Sequence, residues 1–223
     1  NDNNAWKIHI VKAGTATIKA NQAGNATFPP ALEVTFKVTI NKKPLTLAFI
    51  TPFSKEYDRL TTANVTSNLK LNGVVGTDNV GHSFTTANYN NKNVGTAKAI
   101  TLGNVSLTGS AASNYTLTAP ALTGNITAKP LTIATSNNVV ISKVYNGNND
   151  ASFTQSQFVF SGRITGDAVS FSGSATYADK SVGVGKAVTI NGITLTGADA
   201  LNYSLTSTSV TTSGAITRKP LTL

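Results

Sequence analysis

"KKPLTLA" occupies residues 42–48, "AKPLTIA" residues 128–134 and "RKPLTL" residues 218–223, with their prolines 86 and 90 positions apart. Each phrase follows a β-like run ("VTI", "NIT", "AIT") and the first two lead into another ("LTL", "LTI"). Proline has no amide proton to give to a sheet and biases the residue before it toward extended geometry. A Lys-Pro pair between two strands therefore marks a change of sheet, with almost no free linker. On this reading Pro44 and Pro130 are joints: the last strand of one domain becomes the first strand of the next, and the domains stack end to end as a stiff rod.

The segments between the phrases repeat as well. "SKEYDRLTTA" (54–63) corresponds to "SKVYNGNNDA" (142–151), and "ANYNNKNVGTAKAITLGNVSLTG" (87–109) to "ATYADKSVGVGKAVTINGITLTG" (175–197). "ASNYTLT" (112–118) matches "ALNYSLT" (200–206), so Tyr57 and Tyr145, and likewise Tyr115 and Tyr203, stand 88 residues apart. Such self-similarity defines modules before any finer reading. The expected organisation is the tail of a preceding module at 1–42, one repeat at 43–128, a second at 129–218 and the start of another at 219–223.

Within the tail, "AWKIHIV", "TATIKA" and "LEVTFKVTI" read as strands. In the second repeat the alternation predicts strands at 131–134, 139–145, 153–161, 168–172, 175–177, 186–190, 193–196, 203–206 and 210–216. Thr and Val fill these runs, Asn, Gly and Ser separate them, and no amphipathic helix of useful length occurs. Short strands at this spacing predict an all-β fold, of tandem immunoglobulin-like β-sandwiches, with a barrel as the alternative.

Of 223 residues, 40% are hydrophobic, enough for a core. Neither cysteine nor methionine occurs, so disulfides, thiolate metal sites and cysteine nucleophiles are excluded. The chain reads as an internal or processed piece, without a signal peptide or the run of about 20 apolar residues needed to cross a membrane as a helix. The net charge of +9 comes from 18 Lys+Arg against 9 Asp+Glu, but the cations are scattered and no basic stripe interleaves with aromatics. That pattern argues against specific nucleic-acid recognition.

The run "KVYNG" followed by "KSVGVGKAVTINGITLTGADALNYSLT" and "ITRKPLTL" resembles the YDG-type bacterial repeat module, in two copies over residues 44–223. The opening "ANQAGNATFPPALEVTFKVTINKKPLTL" resembles the end of an MBG-type immunoglobulin-like module. Such modules occur in tandem in very large secreted adhesins, including filamentous-haemagglutinin-like exoproteins. The resemblance implies an extracellular or cell-surface location, a stalk or adhesive role with a part in biofilm, and no enzymatic activity. Both copies depart from the family's tripeptide: "YDR" lacks the glycine after Asp58, and Asn146 replaces the aspartate in the second.

Residues that could carry chemistry are sparse. The two histidines, His9 and His82, belong to no nucleophile arrangement, and Glu56 is the last glutamate. Calcium needs six to eight oxygens rich in carboxylate, and the junction phrases hold cations instead. No cofactor is implied. A Lys–Asn cross-link would draw on Lys55 or Lys143 with Glu56, Asp78 or Asp167 as the proton-shuttling acid. Tyr115 and Tyr203 are expected to be structural, each phenol bonding back to upstream backbone in the manner of a tyrosine corner.

Two functions compete. The first is a non-catalytic spacer of monomeric tandem domains that holds an adhesive tip away from the cell. The alternative is a module that binds host or matrix glycans through its inter-strand loops, using Tyr89, Asn90, Asn91, Asn146 and Asn148, where amides and a ring face would meet sugar hydroxyls.

Overall fold

A computed structural model describes residues 9–118 and 120–222. It is an all-β protein: among the described residues the only helical segments are single 3₁₀ turns. The chain divides into two compact units, one of residues 1–53, 62–89 and 99–123, the other of residues 54–61, 90–98 and 124–223.

In the first unit, β1 (Gly14–Ala20) and β2 (Val34–Ile40) form an antiparallel ribbon, with Gly14 opposite Ile40. Ile18, Val34 and Phe36 stay exposed on it. The strand expected at 5–11 lies outside the described residues up to position 8, and residues 9–11 are not in a strand. Strand β3 (Lys43–Phe49) starts three residues after β2 and joins a different sheet.

In chain order β4 (Phe53–Glu56), β5 (Leu69–Asn72), β6 (Gly81–Ser83), β7 (Thr86–Tyr89), β8 (Gly95–Gly103), β9 (Ser106–Thr108), β10 (Tyr115–Leu117) and β11 (Leu122–Thr127) follow, of which β4, β8 and β11 have residues in both units. β3 is flanked by parallel β10 and antiparallel β5. β6 pairs with β9 and β7 with β8, both antiparallel. Alternate residues of β3, Leu45 and Leu47, are buried with Val65, Leu69, Ile100 and Tyr115, the period of two that a half-buried strand imposes. Phe49, Phe53 and Tyr89 stack in series on this core.

The second unit contains β12 (Lys129–Thr135), β13 (Val140–Val144), β14 (Asp150–Ala151), β15 (Phe158–Ser161), β16 (Ser170–Tyr177), β17 (Gly183–Thr196), β18 (Tyr203–Leu205) and β19 (Val210–Thr217). They form two sheets, ordered β15-β12-β18 and β13-β19-β17-β16-β14. Ile133 and Phe158 from the first sheet, and Ile141, Phe171, Tyr177, Val188, Ile190 and Ile216 from the second, share one buried cluster. Burying such side chains stabilises by about 1.5–3 kcal/mol each. The Tyr177 hydroxyl, at the centre, donates to the Ile141 carbonyl at 2.7 Å.

Several expected strands differ in extent. Residues 168–177 form one strand from Ser170, its register shifting between Ser172 and Ser174, where two strands were expected. Residues 183–196 are likewise one strand, which changes partner along its length: Gly183–Ile190 pairs with β19, Val188–Thr196 with β16. The Asn191-Gly192 pair reads in sequence as a turn, but the strand passes through it, Gly192 taking φ +63°. The expected strand at 153–161 starts at Phe158, because Gln155–Gln157 form a 3₁₀ turn closed by a capping box between Thr154 and Gln157.

Pro44 and Pro130 each occupy the second position of a strand, β3 and β12, opposite Thr116 and Ser204 of a parallel neighbour, and both are exposed. An early strand position tolerates proline's missing donor.

Candidate functional site

The most chemically specific place in the chain is built on Asp167. It lies at the end of the turn after β15, on the stretch "ITGD", and its side chain is 0% exposed. The Tyr203 hydroxyl donates to its Oδ2 at 2.6 Å and accepts the Ile164 N–H at 3.0 Å. The Tyr57 hydroxyl donates to the same Oδ2 at 3.0 Å, its ring meeting that of Tyr203 edge-on with centroids 5.6 Å apart. Oδ1 faces the Arg59 Nε at 3.1 Å, an ion-pair contact rather than an aligned hydrogen bond. A buried carboxylate is costly unless donors and a cation compensate it; here two phenols and a guanidinium do so.

Tyr203 stands at the start of β18, whereas Tyr57 and Arg59 come from the turn after β4. β4 runs beside β11, and the Tyr57 N–H bonds to the Thr127 carbonyl at 2.9 Å. Lys55 holds the turn after it, its Nζ reaching Asp58 Oδ1 at 2.7 Å and the Leu60 carbonyl at 2.8 Å. Partial burial pushes the Asp58 carboxyl up, but the Lys55 bond and the Leu60 N–H outweigh it and hold it below the usual range. The turn places Arg59 at φ +69°, a left-handed conformation that costs a non-glycine residue about 1–2 kcal/mol. The corresponding Gly147 has φ +88°, so the glycine missing from "YDR" is one that the backbone favours. In return Arg59 gains Asp167 and the Thr165 carbonyl, the latter at 2.8 Å. Gly166 makes room for it: a Cβ there would run into the Arg59 guanidinium.

Two further contacts surround the site. Lys129 Nζ meets Glu56 Oε1 at 2.6 Å, and the Val94 N–H donates to Asn202 Oδ1 at 3.0 Å. Burial first, then the Asp167 bond, pushes the Tyr57 phenol far above its ordinary range. The same causes raise Tyr203 to about 12. Both are therefore neutral donors at any physiological pH.

The first unit repeats the inner half of this arrangement. The Tyr115 hydroxyl donates to Asp78 Oδ2 at 2.6 Å and accepts the Val75 N–H at 3.1 Å. The Asp78 bond first, then burial, raises the Tyr115 phenol. Asp78 itself is exposed, and Val75 is 52% exposed.

The loop residues expected to bind glycans are distributed differently. Tyr89 is 2% exposed and stacked under Phe53; as the last residue of β7 it faces the core, which corrects the expectation that its ring is available to a sugar. Asn90 is exposed beside it. Asn91 accepts the Asn93 N–H at 3.0 Å and Lys98 Nζ at 2.6 Å, as Asp179 accepts Lys186 Nζ at 2.6 Å in the other repeat. Asn146 accepts the Asn148 N–H at 3.4 Å, and Asn148 Oδ1 takes Lys143 Nζ at 2.8 Å. Their amide oxygens thus shape turns. The lysines considered for cross-linking are engaged likewise: Lys143 also bonds the Asp150 carbonyl at 2.8 Å and lies over the Tyr177 ring.

Sequence reading missed the Asp78 and Asp167 sites, considering these acids only for a cross-link. Their shared signal is an aspartate on the turn 36 or 37 residues before the tyrosine that the two repeats match, Tyr203 or Tyr115. Among the described residues, no three His, Cys, Asp or Glu side chains gather as a metal site would require.

Compared with known families, residues 41–123 and residues 127–212 each match the YDG domain. No curated protein and no solved structure matches the chain. The family finding corrects the resemblance drawn from the sequence. It is to the YDG domain alone and leaves residues 1–40 outside, so the assignment to MBG-type immunoglobulin-like repeats of large secreted adhesins is withdrawn.

Proposed function

The chain belongs to the YDG-domain family, in two copies covering most of its length, and we propose that it is a non-catalytic spacer. In this reading consecutive modules, built as tandem immunoglobulin-like sandwiches and joined end to end as a rod, hold an adhesive element away from a bacterial surface. The module boundaries fall at the Lys-Pro phrases, near residues 43 and 129, and the chain works outside the cell without cofactor, specific nucleic-acid partner or membrane insertion.

The observation that carries this is the Asp167 site. Its ligands Tyr57 and Arg59 come from the first repeat and Tyr203 from the second, so this buried polar cluster ties one repeat's turn to the next repeat's core. A binding module would concentrate its polar groups toward solvent; here they are turned inward. Proline at each strand entry supports a joint with little slack.

Small-angle scattering and glycan-array retention test the reading together. An elongated particle with no saturable glycan binding is expected. A compact particle overturns the rod, and saturable retention lost on changing Asn146 and Asn148 to alanine favours the glycan-binding alternative. Retention on duplex DNA that survives physiological salt would overturn the spacer role as well.

A further inference from the structure

Asp167 is enclosed by a strand–turn segment, and the same segment type recurs at β13, where the Tyr145 N–H bonds to the Thr217 carbonyl at 2.8 Å. In both places a Ser-Lys-x-Tyr strand lies along the last strand of a repeat: β4 along β11, and β13 parallel to β19. The tyrosine N–H takes the carbonyl three residues before the junction proline, Thr127 before Pro130 and Thr217 before Pro220.

The first unit offers the same seat. β2 leads into the first junction phrase, and Asn41 stands three residues before Pro44. Among the described residues β2 pairs with β1 alone, leaving its other edge without a strand partner there. At the end of β2 lies a hollow of about 300 Å³, walled on one side by residues 10–13 and on the other by Asn41, Lys43, Val75, Asp78 and Tyr115. The polar groups of that second wall have counterparts at the enclosed site. Asp78 and Tyr115 are placed as Asp167 and Tyr203, down to the backbone N–H that each phenol accepts. Lys43 precedes its proline as Lys129, the partner of Glu56, precedes Pro130. The neighbouring loop contact is already made: the Ala13 N–H donates to Asn114 Oδ1 at 2.9 Å, as Val94 does to Asn202. What differs is that Asp78 faces solvent where Asp167 is buried.

We infer that this hollow is a docking site for an extended Ser-Lys-x-Tyr-Asp segment of another YDG module, added as a strand along the edge of β2 away from β1. The occupant is defined by the enclosed example, residues 54–59; the second copy, "SKVYNG", shares the Ser-Lys-x-Tyr strand and its main-chain bond alone. Its tyrosine N–H bonds to the Asn41 carbonyl, its phenol donates to Asp78, an acidic residue before the tyrosine meets Lys43, and a basic residue two positions after it meets Asp78. Strand addition supplies the main-chain bonds, and the phenol and charges supply selectivity. The inference rests on the repeat chemistry and stands whether or not the chain is a spacer.

The test uses the intact chain and a fluorescein-labelled peptide of residues 51–61, "TPFSKEYDRLT", followed by anisotropy. Saturable binding is expected. A Tyr57→Phe peptide should bind roughly tenfold more weakly, the loss of one hydrogen bond to a charged acceptor, and a Tyr57→Ala peptide should not bind. Asp78→Ala in the chain, a change at an exposed position, should weaken binding at least tenfold, while Asp150→Ala, at an exposed position of the second unit, should leave it unchanged. No saturable binding up to about 1 mM, near −4 kcal/mol, overturns the inference. So does binding indifferent to both tyrosine changes, or binding indifferent to Asp78→Ala, which would mean that the peptide docks elsewhere on the chain.

Discussion

Asp78 and Asp167 stand at equivalent points of two repeats and receive the same inner bonds: a phenol 2.6 Å away that also accepts a backbone N–H from the preceding turn. Their outer surroundings differ. Asp167 is closed over by Tyr57 and Arg59, whereas Asp78 faces solvent. The pair separates two contributions that a single site would confound. The tyrosine–aspartate bond belongs to the module and organises its own turn. The second tyrosine and the arginine belong to the neighbouring segment, and they convert a surface acid into a buried one.

That division is broken most directly by removing the two acids. Asp167→Ala leaves two buried hydroxyls without their acceptor and Arg59 without its charge partner, and should cost about 3 kcal/mol. Asp78→Ala exposes its phenol to water and should cost under about 1 kcal/mol. Native-state hydrogen exchange at the Ile164 and Val75 amides, the two N–H groups bonded to Tyr203 and Tyr115, reads each site separately. Equal losses at both amides would show that enclosure by Tyr57 and Arg59 contributes nothing.

Arg59 sharpens the comparison because it combines a gain with a strain. Its Asp167 contact is partly screened, since the arginine side chain is 42% exposed, and removing it should cost about 1–2 kcal/mol. Arg59→Ala loses that contact and keeps the left-handed backbone at φ +69°. Arg59→Gly loses the same contact but relieves the backbone, and should recover about 1 kcal/mol of the loss. Thermal unfolding of the two variants should therefore place glycine above alanine. The reverse order would mean that the turn is not strained.

The tyrosines of the strand–turn segments make a smaller contrast. Tyr57 is 1% exposed and Tyr145 37%, although both sit on the same motif and make the same main-chain bond. Tyr57→Phe removes a buried donor to Asp167 and should destabilise by about 1 kcal/mol. Tyr145→Phe should change stability by less than the error of a denaturant titration. A measurable loss at Tyr145 would reveal a hydroxyl partner and remove the distinction between the two segments.

Much of this was legible because repetition makes it so. Two copies of "KPLT" with strands on either side located the sheet changes, and Tyr115 and Tyr203, matched at a fixed spacing, pointed to paired structural phenols. The Asp167 site was not legible, because its partners Tyr57 and Arg59 lie more than 100 residues away in sequence. Nothing beside an aspartate in "ITGD" distinguishes burial from exposure, as the exposed Asp78 in "VGTD" demonstrates. Tyr89 misled for a related reason: it borders an Asn-rich loop, but strand parity rather than neighbouring polarity decides which way a ring points. The arginine at the third motif position looked like a loss of the family glycine, and only its reach to Asp167 gives it a purpose.

Alkaline pH addresses the enclosed site without any mutation, and its effect near neutrality is the smallest of all, since both phenols are then fully protonated. Tyr203 is raised to about 12, against about 10 in an unfolded chain. The folded state thus holds its proton more tightly than the unfolded one. The stabilisation is fully present below pH 10 and is lost as pH rises from there through 12. Tyr57 shifts in the same direction, so the Ile164 amide should lose protection progressively over that window. Tyr115 is raised as well, but through the Asp78 bond ahead of burial, and in the Asp78→Ala chain the alkaline sensitivity at Val75 should shrink. If Ile164 and Val75 respond alike in both chains, the tyrosine–aspartate bonds are not what titrates, and the difference between the enclosed and the open acid has to be sought in packing alone.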